Sequence, residues 1–133
     1  MARHKTGNDV IDKWRELLAR HATVSCALDR ELGERHGLGV SEFEVLDHLA
    51  EGLSTCDAGG KEKFRVQELA DEVHLSQSAL SRLIARLERE GLVTRAMCEA
   101  DRRGVFVLLT DEGRKRHAEA APTHLAVLTA HLG

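Results

Sequence analysis

The chain has 133 residues, 42% of them hydrophobic and 31% charged, with a formal net charge of −3. That is one domain's worth of ordinary globular composition, enough for a single core, and it excludes a disordered tail. No apolar run approaches the roughly 20 residues that cross a bilayer, and Met1-Ala2-Arg3-His4-Lys5 opens no signal-peptide core, so a cytoplasmic protein is expected.

With aromatic residues confined to Trp14, Phe43, Phe64 and Phe106, the core is expected to be aliphatic, which suits packed helices. The first predicted element is a long helix over about residues 8–35. Val10, Ile11, Trp14, Leu17, Leu18, His21, Val24, Ser25, Leu28 and Leu32 recur there at steps of three and four; Asn8 is the candidate N-cap and Gly37 lies past the end. Trp14 is expected in core packing, the other reading being a small-molecule pocket that it would share with His21. An apolar stripe over residues 10–32 is too large a patch for a monomer to leave bare, which predicts a homodimer. Ser41-Glu42-Phe43-Glu44 reads as a capping box, Ser41 and Glu44 exchanging bonds with the first amides of a short helix that carries Phe43, Val45, Leu46 and Leu49. Gly52 to Lys63 reads as a loop.

The informative stretch runs from Val66 to Gly113. Glu68-Leu69-Ala70-Asp71-Glu72-Val73 reads as a short amphipathic helix and His74-Leu75-Ser76 as a tight connection. From Gln77 to Glu90 a second helix places Leu80, Leu83, Ile84 and Leu87 at i, i+3, i+4 and i+7, one buried stripe. The opposite face carries Ser78, Arg82, Ala85 and Arg89, with Ser81 and Arg86 on its flanks. Small polar residues allow close approach to a major groove, and Arg can grip guanine O6 and N7 bidentately. Beyond Gly91, Leu92–Cys98 and Val105–Leu109 read as strands joined by a charged turn, Glu99–Gly104, so Arg102 and Arg103 stand at the tip of a hairpin. A hairpin behind a helix-turn-helix is a wing, and its Arg side chains can enter a flanking minor groove. Thr110-Asp111-Glu112-Gly113 caps a last helix through Leu132, with Pro122 a candidate kink.

Charge is unevenly spread: over residues 21–58, Arg30 and Arg35 stand against eight acids. An acidic body with locally basic reading elements still binds DNA, because phosphate contacts are local. Cys26, Cys56 and Cys98 are odd in number, widely spaced and without a Cys-x-x-Cys pair, so they are expected to be plain small residues rather than a disulfide or zinc framework. Gly-x-Gly-x-x-Gly, Walker, Gly-x-Ser-x-Gly and His-Glu-x-x-His motifs are absent from the sequence. Asp71 and Glu72, or Glu88 and Glu90, are carboxylate pairs on exposed helix faces with no partner to tune them, so no enzyme is expected.

Glu68-Leu69-Ala70, Ser81-Arg82-Leu83-Ile84 with Arg86-Leu87-Glu88 and Gly91-Leu92-Val93, then Asp101-Arg102-Arg103-Gly104 and Leu109-Thr110-Asp111-Glu112-Gly113, in this order and spacing, resemble the MarR family. No single piece is specific; the four together are, and with the two leading helices the resemblance covers nearly the whole chain. It implies a fold that is mainly α with a small β-hairpin wing: a winged helix-turn-helix at about 41–109 plus a helical dimerisation layer at about 8–35 and 110–132. It further implies a homodimeric, ligand-responsive repressor on a palindromic operator, with double-stranded DNA and a small-molecule effector as partners and no cofactor. The family carries a further helix after the one that starts near Thr110, which this sequence, ending at Gly133, does not contain.

Carried over by residue, Ser78 and Arg82 occupy the family's base-reading positions, with Gln77 and Ser81 beside them and Arg86 on a phosphate. Arg103 is the expected minor-groove residue of the wing, Arg102 its neighbour, and Asp101 orients one of them. Arg89 and Arg95 are expected to be solvated or paired with nearby Glu. His117, His124 and His131 recur every seven residues, about 10 Å apart along a helix and too far to share an ion. They are expected at a helix interface; a metal site would need His21 or His48 from another helix, and zinc-responsive members use closer spacing. Redox-sensing members commonly support their thiolate with Tyr, which this sequence lacks. The other functional readings are a redox- or metal-sensing regulator of the same fold, or a winged helix used for protein contacts only.

Overall fold

In a computed structural model the apolar periodicity of the first third of the chain folds as one helix, α1 (Lys5–His36). The structure describes the backbone at residues 5–54, 63–98 and 101–133 and the side chains at residues 7–51, 68–96 and 106–133. The helix begins ahead of Asn8, so Asn8 is not its cap. It ends where the sequence predicts: Gly37 takes a left-handed φ of +67°, which a side chain resists, and its N–H donates to Gly33 O at 3.1 Å.

The next helix, α2 (Val40–Ser54), is capped differently from expectation. Gly39 stands at its N-cap and donates its N–H to Glu42 Oε1 at 2.7 Å, while the Val40 N–H is taken by Asp29 Oδ1 of α1 at 2.8 Å. Ser41 already lies inside the helix, and Glu44 turns to His48 and His124 instead. The box is therefore corrected to its acidic half alone, with Glu42 three residues beyond the true cap. The expected loop also shrinks: α2 continues through Ser54, and Lys63–Arg65 is strand β1, with residues 55–62 outside the described residues.

After β1 come α3 (Val66–Val73), α4 (Gln77–Arg89), β2 (Val93–Cys98), β3 (Asp101–Leu109) and α5 (Asp111–Leu132). The strands form an antiparallel sheet of order β1-β3-β2, in which Val107 faces Phe64 on one side and Arg95 on the other. The predicted turn over residues 99–104 is corrected, because β3 already starts at Asp101. Pairing passes from Met97 opposite Val105 to Cys98 opposite Asp101, so Arg102, Arg103 and Gly104 form a bulge in the ladder rather than a loop. Through Pro122, α5 runs on as a single helix.

One core joins all these helices: Leu32 of α1, Phe43 and Leu46 of α2, Leu69 of α3, Leu87 of α4 and Val127 of α5 are buried in it. The long stripe of α1 divides along its length. Val24, Leu28 and Leu32 are buried, whereas Val10, Ile11, Trp14, Leu17 and Leu18 are exposed. Trp14 is 58% exposed, which corrects the expectation of core packing within one chain. The reason is reach: α5 meets the C-terminal half of α1, as in the Arg116 Nη1 bond to His36 O at 3.1 Å. Among the described residues no helix is long and apolar enough to cross a membrane.

The junction of wing and last helix is tight. Thr110 caps α5 by accepting the Gly113 N–H at 3.0 Å, donates its own N–H to Leu92 O at 3.1 Å, and gives its hydroxyl to Gly91 O at 2.6 Å. The first turn of α5 is thereby pressed onto the Leu92 carbonyl, and a Cβ on Gly113 would collide with it and stand 2.8 Å from Leu109 Cδ1. Backbone cannot step aside as a flexible side chain does. Gly113→Ala is therefore expected to destabilise the fold by about 1–3 kcal/mol, read as a lower midpoint in urea; an unchanged midpoint would show that the junction yields.

Candidate nucleic-acid interface

The α4 helix is fixed at both ends. At its start Ser76, extended at ψ 158°, accepts the Ala79 N–H on Oγ at 3.2 Å. At its end the Leu92 N–H reaches Leu87 O and the Gly91 N–H reaches Glu88 O, both at 3.0 Å, with Gly91 at φ +76°; this is the Schellman arrangement. The turn before α4 uses a left-handed residue too, and here it is not glycine: His74 sits at φ +59°, and the Leu75 N–H donates to Ala70 O at 3.1 Å. Leu80, Ile84 and Leu87 are buried and Leu83 half-buried, as the sequence predicts.

With the rotation of α4 so set, Gln77, Ser78, Ser81, Arg82 and Arg86 are all exposed. Arg82 has no hydrogen-bond or ion-pair partner among the described residues. Ser78 touches the cap, Oγ to Ser76 Oγ at 3.5 Å. Arg86 is engaged: its Nε lies 3.3 Å from Glu42 Oε2 and 3.9 Å from Glu90 Oε2. Arg95 is paired with Glu88 at 3.3 Å and also donates to Ser81 O at 3.5 Å, while Arg89 is exposed. Asp101, Arg102 and Arg103 lie on β3 by backbone, but their side chains are outside the described residues. What the structure describes of the wing is its strand register.

Glu42 is the residue that sequence reasoning missed. Read there as part of a cap, it is the buried charged residue among those described, 6% exposed. Its signal in the sequence is weak, an acid beside Phe43, because nothing local announces a partner on α4. Beside it opens a cleft of about 370 Å³ between the α1–α2 corner and α4, lined by Asp29, Val40, Glu42, Arg82, Arg86 and Arg89, among others.

The histidines of α5 act as helix-interface groups. His117 Nε2 meets Asp47 Oδ1 at 2.7 Å and His124 Nε2 meets Glu44 Oε2 at 3.4 Å, both carboxylates on α2. Phe43 stacks between the two rings, at 5.3 Å from His117 and 4.3 Å from His124. His131 is exposed and lines a groove with Cys26 and Arg30 of α1, where Cys26 is an exposed free thiol.

Residues 36–104 match the model of the MarR family. The HTH-type transcriptional regulator PecS of Dickeya dadantii is 27% identical over 127 residues, covering 85% of this chain and 73% of that protein. Among solved structures, AbsC, a MarR family transcriptional regulator from Streptomyces coelicolor, is 33% identical with a TM-score of 0.77, over 90% of this chain and 76% of that one. A second MarR family regulator from the same organism, solved in complex with DNA, is 30% identical with a TM-score of 0.81, over 99% of this chain and 78% of that one.

The N-cap of α4 is the local feature on which this face depends. Ser76→Ala leaves the Ala79 N–H without its acceptor and is expected to cost about 1 kcal/mol, measured by chemical denaturation. Ser76→Asp, which supplies an acceptor, is expected to recover that stability; equal losses in both variants would show that the cap contributes nothing.

Proposed function

The chain belongs to the MarR family of transcriptional regulators, and from that premise we propose that it is a homodimer whose α4 helices read two halves of a palindromic operator. Supporting this most directly is one observation: Arg82, exposed and unpartnered among the described residues, shares the outward face of a doubly capped helix with Gln77, Ser78 and Ser81. A guanidinium that no described residue holds has its full fork of donors for a guanine edge. The small side chains around it let the backbone approach the groove floor. Arg102 and Arg103 are assigned to a flanking minor groove, with Asp101 as the residue that orients one of them. In this reading the protein represses its target, and a small-molecule effector releases it.

The two-fold pairing is supported by the bare face of α1, where Val10, Trp14, Leu17 and Leu18 stand in the open together with Leu125 and Leu132 of α5. Apolar side chains at that density on two neighbouring helices find their natural cover in a second copy of the same surface. The dimerisation layer is then α1 with α5, and the winged helix-turn-helix hangs below it.

Two measurements test the proposal. Sedimentation at micromolar concentration should give twice the chain mass, and Leu17→Glu should shift it toward the single-chain mass; a wild-type monomer would overturn the dimer. Binding of Arg82→Ala to a library of duplexes should lose about 1–3 kcal/mol and relax preference at one symmetric pair of positions. A uniform loss with base preferences intact would show that Arg82 touches phosphate, and a protein that shifts no duplex at all would point to a winged helix used for protein contacts.

A further inference from the structure

Glu42 divides its carboxylate between two jobs. Oε1 accepts the Gly39 N–H at 2.7 Å, closing the first turn of α2. Oε2 is sealed from solvent and makes no hydrogen bond, yet it lies 3.3 Å from Arg86 Nε. A charge this deeply buried needs a countercharge, and losing one member of such a pair leaves the other uncompensated. Arg86 is the cation that the described residues supply, and it comes from the helix proposed to read DNA.

The surroundings make that link more than decoration. Beneath, α2 and α4 share the core through Phe43 and Leu87, but at the surface the α1–α2 corner and α4 are separated by the open cleft of about 370 Å³. The corner itself is held: Asp29 of α1 takes the Val40 N–H, and α2 is bound to α5 through Asp47 with His117 and Glu44 with His124. Among the described residues, the ion pair that crosses the cleft from this braced corner to α4 is Glu42 with Arg86.

Resting on the proposed function above, we infer that Glu42 is a positioning residue for operator recognition: by holding Arg86 Nε it sets the pose of α4 against the helical layer. Glu42 never touches DNA. Its carboxylate draws the Arg86 Nε side inward, leaving the terminal nitrogens for a phosphate, and through that tie bears on where the Arg82 face stands. Specific binding depends on that pose, because base-edge hydrogen bonds fail with small displacements, whereas attraction to phosphates does not.

The test separates pose from stability. Wild-type protein selects a duplex from a random library, and its affinity for that duplex is compared with its affinity for a scrambled duplex of equal length. Glu42→Gln keeps the side-chain shape and an oxygen for the Gly39 N–H but removes the charge that holds Arg86. Its thermal midpoint and dimer mass are expected to stay as wild type, its affinity for the scrambled duplex to hold or rise, and its discrimination to fall about tenfold. Arg86→Lys, on an exposed position, should lose discrimination likewise, over and above the uniform loss of affinity that a weakened phosphate contact brings to both duplexes. Combining Glu42→Gln with Arg86→Lys should lose no more than the worse single variant. The inference is overturned if Glu42→Gln discriminates as well as wild type, if the two losses multiply, or if both duplexes weaken equally along with the thermal midpoint. Should Glu42→Gln not fold, undiminished discrimination in Arg86→Lys overturns it alone. A wild-type protein that selects no sequence would instead overturn the operator reading, and the inference with it.

Discussion

The burial of one helix stripe governs most of what this molecule presents to its surroundings. Leu80, Ile84 and Leu87 are sunk in the core, and an α-helix with three such anchors over two turns has a single rotational setting. Every exposed residue of α4 is then determined by its distance in sequence from that stripe. Arg82 and Ser78 face outward for the same reason that Ile84 faces inward. The caps at Ser76 and Gly91 limit where the helix starts and stops, so its rotation about its own axis and its extent are fixed by local chemistry.

Periodic features were the most legible in the sequence. The α4 stripe, its stop at Gly91 and the strand that follows could be read almost to the residue, because each is a local pattern with one solution, whereas the Ser76 cap was read only as part of a tight connection. The α2 cap was misplaced because Ser41 and Glu44 satisfy the same spacing rule as Gly39 and Glu42, and the choice between them is made by Asp29, which reaches over from α1. Strand β1 was lost in a polar stretch, since its order comes from pairing with β3 and not from its own three residues. The candidate site shows the same divide. The residues of α4 were legible from helical geometry alone, whereas the tie between Glu42 and Arg86 joins distant parts of the chain and leaves no periodic trace.

The last helix is the common member of the helical layer. It lies against α1 through His36 and Thr123, whose side chains meet at 2.9 Å, and against α2 through two imidazole–carboxylate contacts. The seven-residue spacing of the imidazoles, too wide for a shared ion, serves packing, as two rings two turns apart clasp the ring of Phe43. Sliding α5 by one turn, about 5.4 Å, would break both contacts at once. The alternation of acids on α2 and imidazoles on α5 therefore acts as a register mark between the two helices.

The turn between α3 and α4 has a mechanical implication. His74, a residue with a side chain, is held in the left-handed region, and the Leu75 N–H is already committed to Ala70. A linker this short, with its torsions confined to a sparsely populated well, has no slack to absorb a change of angle between the helices it joins. Such a link favours movement of α3 and α4 together, as one lever. A change in the distance between two such levers in an assembly would then be favoured where the lever is mounted, at its attachment to the helical layer, over the elbow.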